Sequence, residues 1–345
     1  MKSCTRDFQS MSSTGRRSLL NPPDGFRSVP RRSEPLGSGR ALRLQAFGGT
    51  ESLKVDWVSA PEPGPDQVLV QVKAAGVNGI DWKIREGYVR DKFKLSLPAT
   101  LGIEMAGVVL RAGSNVEGVR VGDRVMAALG GLGAYADHLL INAEKLVKTP
   151  AVLSDIDASA VPVAAMTAWQ VLQVADFDLR GRRVLIHGAA GGVGSFAVQF
   201  ANTAGATVYA TASSKSVAHV QALGADEVID YQKQNFELLA SDIDLIVDLV
   251  GGQVLDKSWA VLSPSGVLAS IAATDVVSRA PAGRHGIWLS VKPDTARLAT
   301  IAQEIADGSL RSTISEVVGF DDLASAIERN RTGHAPGKIV LDLTR

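Results

Sequence analysis

The sequence predicts an α/β chain in two parts, a β-barrel-type domain followed by a doubly wound parallel sheet. Three observations carry this. Val184-Leu185-Ile186-His187 runs apolar into a cluster of small residues, Gly188 to Gly194, and an apolar helical pattern leaves it at residues 196–201. That order is strand, tight turn, helix. Upstream of it, from residue 41, short alternating runs and turn residues read as β-structure with little helix. Downstream, strand and helix patterns alternate, which argues for a parallel sheet.

The β-rich part holds strand patterns at 42–47, 53–58 and 67–74, and strand-and-turn units at 107–113 and 121–125. From about residue 162 the expected strands are 183–186, 207–211, 227–229, 245–249 and 267–271, with helices at 192–204, 216–223, 236–239 and 254–261. Residues 287–345 return to mixed structure and end on the alternating run Lys338-Ile339-Val340-Leu341-Asp342-Leu343, expected to fold back and complete the first domain. The expected division is therefore 1–40, 41–161, 162–286 and 287–345.

Residues 1–40 stand apart. Eight basic side chains face three acidic ones in a segment rich in Ser, Pro and Arg. Such a composition cannot bury enough apolar surface to offset ordering entropy, so a disordered extension or a start assigned too far upstream is expected. A transit peptide shares the basic, serine-rich character, but the prolines interrupt the amphipathic pattern it needs. The cytoplasm is the expected compartment, with an organelle as the alternative. Over the whole chain 36 basic residues balance 36 acidic ones, which argues against a nucleic-acid surface. Cys4 is the single cysteine, so neither an internal disulfide nor a cysteine-built zinc cage is available. The weakly polar run 158–175 approaches the length of a membrane span, but Gln170 and Gln173 suit a buried or cleft-lining helix instead.

The turn has the spacing Ala189-x-Gly191-x-x-Gly194, one Ala away from the dinucleotide fingerprint. Gly191 would let the backbone approach a pyrophosphate, and Gly194 would let the helix pack on its strand. The next strand runs into Ala212-Ser213-Ser214-Lys215, where a fold that prefers NAD places an acid for the ribose hydroxyls. No carboxylate stands in that stretch to repel a 2′-phosphate, and two hydroxyls and an ammonium could hold one. The expected cofactor is NADP(H). Tyr231, after the third strand, could flank the adenosine phosphate.

These segments, with Ala74 to Lys83, Leu101 to Val109, Gly224 to Tyr231, Val247 to Gly252 and Gly333 to Lys338, resemble the medium-chain dehydrogenase/reductase superfamily, and most of all its zinc-independent quinone oxidoreductase and enoyl reductase branch. The resemblance covers residues 41–345. It implies a GroES-like catalytic domain and a Rossmann domain, and reduction of activated carbon–carbon double bonds or quinones with NADPH. The zinc branch would carry Cys at Asn78 and His at Ile103 as well as a four-cysteine loop, so no metal is expected. Arg182, Asn202 and Gly79 depart from the quinone reductase signature. By resemblance, Asn78 would sit near the nicotinamide ribose, Thr167 near the nicotinamide phosphate, and Ala190, Gly191, Gly192 and Val193 on the pyrophosphate. Ser213, Ser214, Lys215 and Tyr231 would surround the 2′-phosphate. Leu249 and Val250 would pass the nicotinamide, and Lys338 would approach it from the tail.

Without a metal, a hydroxyl, amide or water must polarise the substrate carbonyl as negative charge develops. Tyr88 is the tyrosine nearest the substrate-side segment and the expected donor, with Asn78 as its companion; packing on the barrel is the alternative for Tyr88. Asp81 is expected to cap a helix. His138, His219 and His285 have no metal-ligand spacing, His187 is expected to be packed or hydrogen-bonded, and His334 is a further candidate. The expected partner is a small enone, alkenal or quinone, with no nucleic acid and no membrane span; a homodimer is compatible with the chain. The alternatives are a dinucleotide-binding protein without turnover and a zinc alcohol dehydrogenase, separable by NADPH oxidation and by metal content.

Overall fold

The structure is a computed structural model and describes residues 37–91, 93–333 and 336–345. The first 36 residues of the expected disordered extension lie outside the described residues, as does His334. The first described strand starts ahead of the expected boundary at 40. Strand β1 spans Ser38–Leu44. Gly39 packs so closely under His138 that a Cβ there would come within 2.7 Å of its ring. The Arg40 side chain pairs with Asp137 at 3.0 Å while its N–H donates to the same carboxylate at 2.6 Å. The basic composition of the segment hid this strand start.

The barrel part continues with β2 (Leu53–Ser59), β3 (Gln67–Val77), helix α1 (Gly79–Arg85), β4 (Ala99–Thr100), β5 (Glu104–Ala112), β6 (Arg124–Ala128), β7 (His138–Asn142) and β8 (Val147–Lys148). Strand β1 pairs antiparallel with both β2 and β4. The larger sheet is organised on β3, a strand buried along most of its length. Strand β5 lines one side of β3, and β7 lines the first half of the other side. Strand β6 follows on β5, and β8 on β6. Helix α2 (Asp155–Ser159) starts at Ser154, whose hydroxyl accepts the Asp157 N–H at 3.0 Å, and leads to α3 (Pro162–Gln173) with proline in its first turn.

The chain then alternates: β9 (Arg183–His187), α4 (Gly192–Thr203), β10 (Thr207–Ala212), α5 (Val217–Ala222), β11 (Glu227–Asp230), β12 (Ile243–Asp248), α6 (Gly252–Ser258), β13 (Leu262–Ser270), α7 (Val276–Arg279) and β14 (His285–Trp288). These six strands are parallel, in the spatial order β11-β10-β9-β12-β13-β14. Alternate residues of each central strand face opposite sides. Val184, Ile186, Leu245 and Val247 join the apolar cluster under α3 and α4, while Leu185 and Ile246 join the one under α6 and α7. The helix expected at 236–239 is a single 3₁₀ turn, Phe236–Leu238, because one buried residue, Phe236, gives it no stripe to extend.

Last come α8 (Thr295–Ala306), β15 (Ile314–Val318), α9 (Leu323–Thr332) and β16 (Lys338–Asp342). The tail divides its contacts. Strand β14 extends the parallel sheet, and Leu298, Ile301 and Ala302 of α8, at helical spacing, join the cluster that buries α3 and α4. Strand β16 then pairs antiparallel with the second half of β3 and parallel with β15. The weakly polar run is helix α3, buried between α4 and the barrel, with Gln170 exchanging two hydrogen bonds with the Lys292 backbone. Among the described residues no helix is long and apolar enough to cross a membrane.

Candidate active site

In a parallel sheet of this order the connections leave in opposite directions from the central strand, and a crevice opens at the C-terminal ends of the strands beside it. Here β9 is that strand, with β10 and β12 on its flanks. It ends in the small-residue turn. Gly188 adopts φ +73°, and a Cβ on Gly194 would collide with the Gly188 carbonyl, so the turn and the close helix–strand packing both need glycine. Helix α4 begins immediately, with Gly191 at its N-cap and no side chain capping it. Its first-turn N–H groups are thus presented to whatever lies above them, the arrangement that receives a phosphate. Ala190, Gly191, Gly192 and Val193 make up this cradle. From β12, Leu249 and Val250 come up beside it: a Cβ on Gly188 would touch Val250 at 3.2 Å and Leu249 at 3.5 Å. Asp248 holds that bend by accepting the Val250 and Gly251 N–H groups at 3.0 and 2.7 Å.

The barrel reaches the cradle through the tail. Gly337 donates its N–H to the Ala190 carbonyl at 2.8 Å and bridges Gly191. The stem of Lys338 crosses Gly192 so closely that a Cβ there would lie 2.6 Å from it. The ammonium then passes into the barrel and donates to the Val77 carbonyl, Asn78 Oδ1 and Glu104 Oε1 at 2.8, 2.7 and 2.7 Å. Asn78 Nδ2 donates to Glu104 Oε1 at 2.8 Å and to the Gly76 carbonyl at 3.1 Å. Both amide hydrogens of Asn78 are thereby engaged. Its carbonyl oxygen keeps acceptor capacity, so toward a ribose hydroxyl this side chain can accept but not donate. Glu104 completes the knot by accepting the Val163 N–H in the first turn of α3 at 2.6 Å. Thr167, one turn further along α3, is buried and spends its hydroxyl proton on the Val163 carbonyl at 2.6 Å, which leaves it acceptor capacity as well.

Asp81 does bond the start of α1: its Oδ2 accepts the Asn78 N–H at 2.7 Å and the Tyr135 hydroxyl at 2.6 Å. Burial pushes its pKa up to about 6, against the pull of those two donors. Tyr88 lies apart from this knot. It is 72% exposed, and its ring meets Trp82 edge-on at 5.8 Å.

The loop after β10 corrects one expectation. A carboxylate does stand there, supplied by the neighbouring strand. Asp230 closes β11 directly opposite Ala212, and its Oδ2 accepts the Ser214 hydroxyl at 2.5 Å. Sequence spacing looks for an acid at the end of β10 itself and misses one brought alongside by strand pairing. Ser213 donates to Ser216 at 3.3 Å, Lys215 is exposed, and Tyr231 is 55% exposed with its N–H on the Ala212 carbonyl at 3.1 Å.

Glu104 is the other residue sequence reasoning missed. A signal existed: an acid opening the apolar strand β5 and a lysine opening the apolar strand β16 each need a buried partner of opposite charge. His187 is hydrogen-bonded, as its position suggests, between Thr211 Oγ1 at 3.1 Å and Ser258 Oγ at 3.0 Å. Among the described residues, no group of three or more His, Cys, Asp or Glu side chains could hold a metal ion.

Comparison with known proteins finds matches over most of the chain. Residues 64–151 match the alcohol dehydrogenase GroES-like domain, and residues 223–341 match the zinc-binding dehydrogenase domain. The chain is 31% identical to a chloroplastic quinone-oxidoreductase homolog of Spinacia oleracea over 88% of this chain and 98% of that protein. It is 33% identical to the NADPH-dependent alkenal/one oxidoreductase, chloroplastic, of Arabidopsis thaliana, over 86% of this chain and 77% of that one. Among solved structures, the quinone oxidoreductase from Coxiella burnetii superimposes with a TM-score of 0.84 at 34% identity, covering 89% of this chain and 99% of its own.

Proposed function

Because the chain belongs to the medium-chain dehydrogenase/reductase family, whose GroES-like and Rossmann-type folds it carries, we propose that it is an NADPH-dependent oxidoreductase acting on an activated C=C bond (enone or alkenal) or a quinone. The observation that carries this proposal is the convergence at the central crevice of the uncapped α4 turn, the Leu249–Val250 bend and the Lys338–Asn78–Glu104 knot. The cradle fits a dinucleotide: no side chain caps the first turn of α4, and a Cβ on Gly191 would meet nothing nearer than the Gly188 carbonyl at 3.4 Å, which leaves the backbone open to a pyrophosphate. In the proposed division of the chain, the first barrel part runs to residue 161, the dinucleotide part follows to residue 286, and the tail completes the barrel.

When bound, a reduced nicotinamide supplies the hydride. The chain's residues do the rest. The first-turn N–H groups of Gly192 and Val193, with Ala190 and Gly191, take the pyrophosphate. Asn78 accepts a hydrogen bond from the ribose, and Thr167 lies on the phosphate side, where its hydroxyl must turn from the Val163 carbonyl to donate. Leu249 and Val250 exclude water from the ring. Ser213, Lys215 and Tyr231 take the 2′-phosphate, while the Ser214 hydroxyl donates to Asp230. Tyr88 is the proposed hydroxyl donor to the substrate carbonyl. Zinc has no part in this scheme, because position 78 carries an amide with both N–H groups engaged and position 103 an isoleucine. Conjugation spreads the developing negative charge over several atoms, so neutral donors suffice where a simple alkoxide would need a stronger one.

The test is NADPH oxidation by purified protein over a panel of quinones, alkenals, enones, ketones and simple alcohols, with and without a chelator. Turnover of quinones or activated alkenes, unchanged by chelation, is the expected result. Alcohol oxidation restored by zinc would overturn it, and so would dinucleotide binding without turnover. We propose the cytoplasm with an organelle as the alternative, which the chloroplastic and mitochondrial relatives support; a fluorescent fusion tests the two.

A further inference from the structure

Two loops meet at the outer end of the crevice. One follows β10 and carries Ser213, Ser214 and Lys215; the other follows β11 and carries Tyr231 to Gln234. Side chains lace them together. The Ser214 N–H donates to Gln232 Oε1 at 3.1 Å, the Gln232 N–H donates to Asp230 Oδ1 at 3.1 Å, and the Ser214 hydroxyl donates to Asp230 Oδ2 at 2.5 Å. Lys233 completes the shell on Oδ2 at 3.2 Å. These donors hold the carboxylate below its usual range, the Ser214 hydroxyl foremost, so it is charged at neutral pH.

A serine hydroxyl has one proton. While that proton lies on Asp230, Ser214 presents only lone pairs outward. Lone pairs receive a donor, such as a ribose hydroxyl, and turn away a phosphate dianion. The buried carboxylate adds its own negative charge to the same loop, where Lys215 alone of the three loop side chains is cationic. The loop is thus set against the group that the exposed lysine favours.

We propose that Asp230 is a specificity-determining residue for the dinucleotide: by holding the Ser214 proton it restrains the preference for NADPH over NADH. This rests on the dinucleotide function proposed above. Replacing Asp230 with asparagine reverses the bond. The amide oxygen still accepts the Gln232 N–H, its NH2 donates to Ser214 Oγ, and the serine proton is released outward, while Lys233 loses its partner.

The test is equilibrium binding of NADPH and NADH, by calorimetry, to wild type, Asp230→Asn and Ser214→Ala. In D230N the Kd for NADPH should fall about tenfold, the worth of one charge-assisted hydrogen bond, with NADH changed less than about twofold. In S214A the Kd for NADPH should stay within about twofold of wild type, because the hydroxyl proton is not given to a phosphate. An unchanged NADPH-to-NADH ratio in folded D230N would overturn the proposal. A tenfold loss of NADPH affinity in S214A would do the same, and Ser214 is exposed, so that variant decides the matter should D230N not fold. Wild-type protein that binds neither dinucleotide would refute the dinucleotide function and this proposal with it; binding of both with an unmoved ratio refutes this proposal alone.

Discussion

Replacing Lys338 with methionine isolates the buried charge pair at the crevice. Methionine keeps the unbranched stem that crosses Gly192 and removes the ammonium. The Glu104 side chain is fully buried and that of Lys338 only 6% exposed, so the variant strands a carboxylate away from water. Removing one partner of such a pair costs about 3–5 kcal/mol. Glu104 keeps the Asn78 amide and the Val163 N–H as donors, which places the cost near the lower bound, about 3 kcal/mol. At about 2.1 cal/mol/K per residue over the roughly 310 described residues, that is a fall in Tm of roughly 5 °C. Glu104→Gln in the same chain removes the stranded charge, so the double variant should regain most of the loss, with a coupling of about 2 kcal/mol. Thermal and urea unfolding of the four proteins of the cycle measure it. A Lys338→Met protein that melts within about 1 °C of wild type, or a double variant whose losses simply add, would refute the reasoning.

Three further outcomes are expected. Lys215→Ala should weaken NADPH binding by about tenfold or more, one lost charge-assisted contact, and leave NADH nearly unaffected; titration of both cofactors checks it. Tyr88→Phe should lower kcat on an enone or quinone by about tenfold, read from steady-state rates, and an unchanged kcat removes the hydroxyl from the chemistry. The third concerns pH. Burial pushes His187 down to about 4, so between pH 6.5 and 4 the unfolded chain binds more protons than the folded one, and this contribution is complete above pH 6.5 and lost as pH falls toward 4. Asp81, raised to about 6, acts with the opposite sign between about 3.8 and 6, but it does so in any variant that keeps it. His187→Gln should therefore be less stable than wild type at pH 7 and should close that gap by up to about 3 kcal/mol on acidification to pH 4, measured by urea unfolding; a pH-independent gap would count against it.

Much of the fold was legible because it is written in local pattern. Val184 to Ile186 and Leu245 to Val247 are uninterrupted apolar runs, as strands covered on both faces must be, and Gly188 to Gly194 punctuates the first of them. What escaped depends on residues far apart in the chain. Glu104 and Lys338 are each unremarkable beside their sequence neighbours, and only the antiparallel pairing of β16 with β3 brings them together. Asp230 reads as an ordinary strand-end acid until β11 pairs beside β10. The start of β1 was masked by the arginines around it, although Arg40 is spent on Asp137, 97 residues away. Propensity records what a residue does to its own segment; it carries nothing about which strand will lie alongside.

The bridge between Gly191 and Gly337 has a consequence for how the molecule is made. The small-residue turn is translated well before the strand that clasps it, and the Ala190 carbonyl waits for a partner nearly 150 positions downstream. On the ribosome all six parallel strands can emerge and pair while the turn still lacks its clasp and the knot its ammonium. Assembly therefore closes like a drawstring, with β16 as the cord. Strand β16 locks the small-residue turn onto the barrel, so a nascent chain stalled before Gly337 would own a complete parallel sheet and an unfinished crevice.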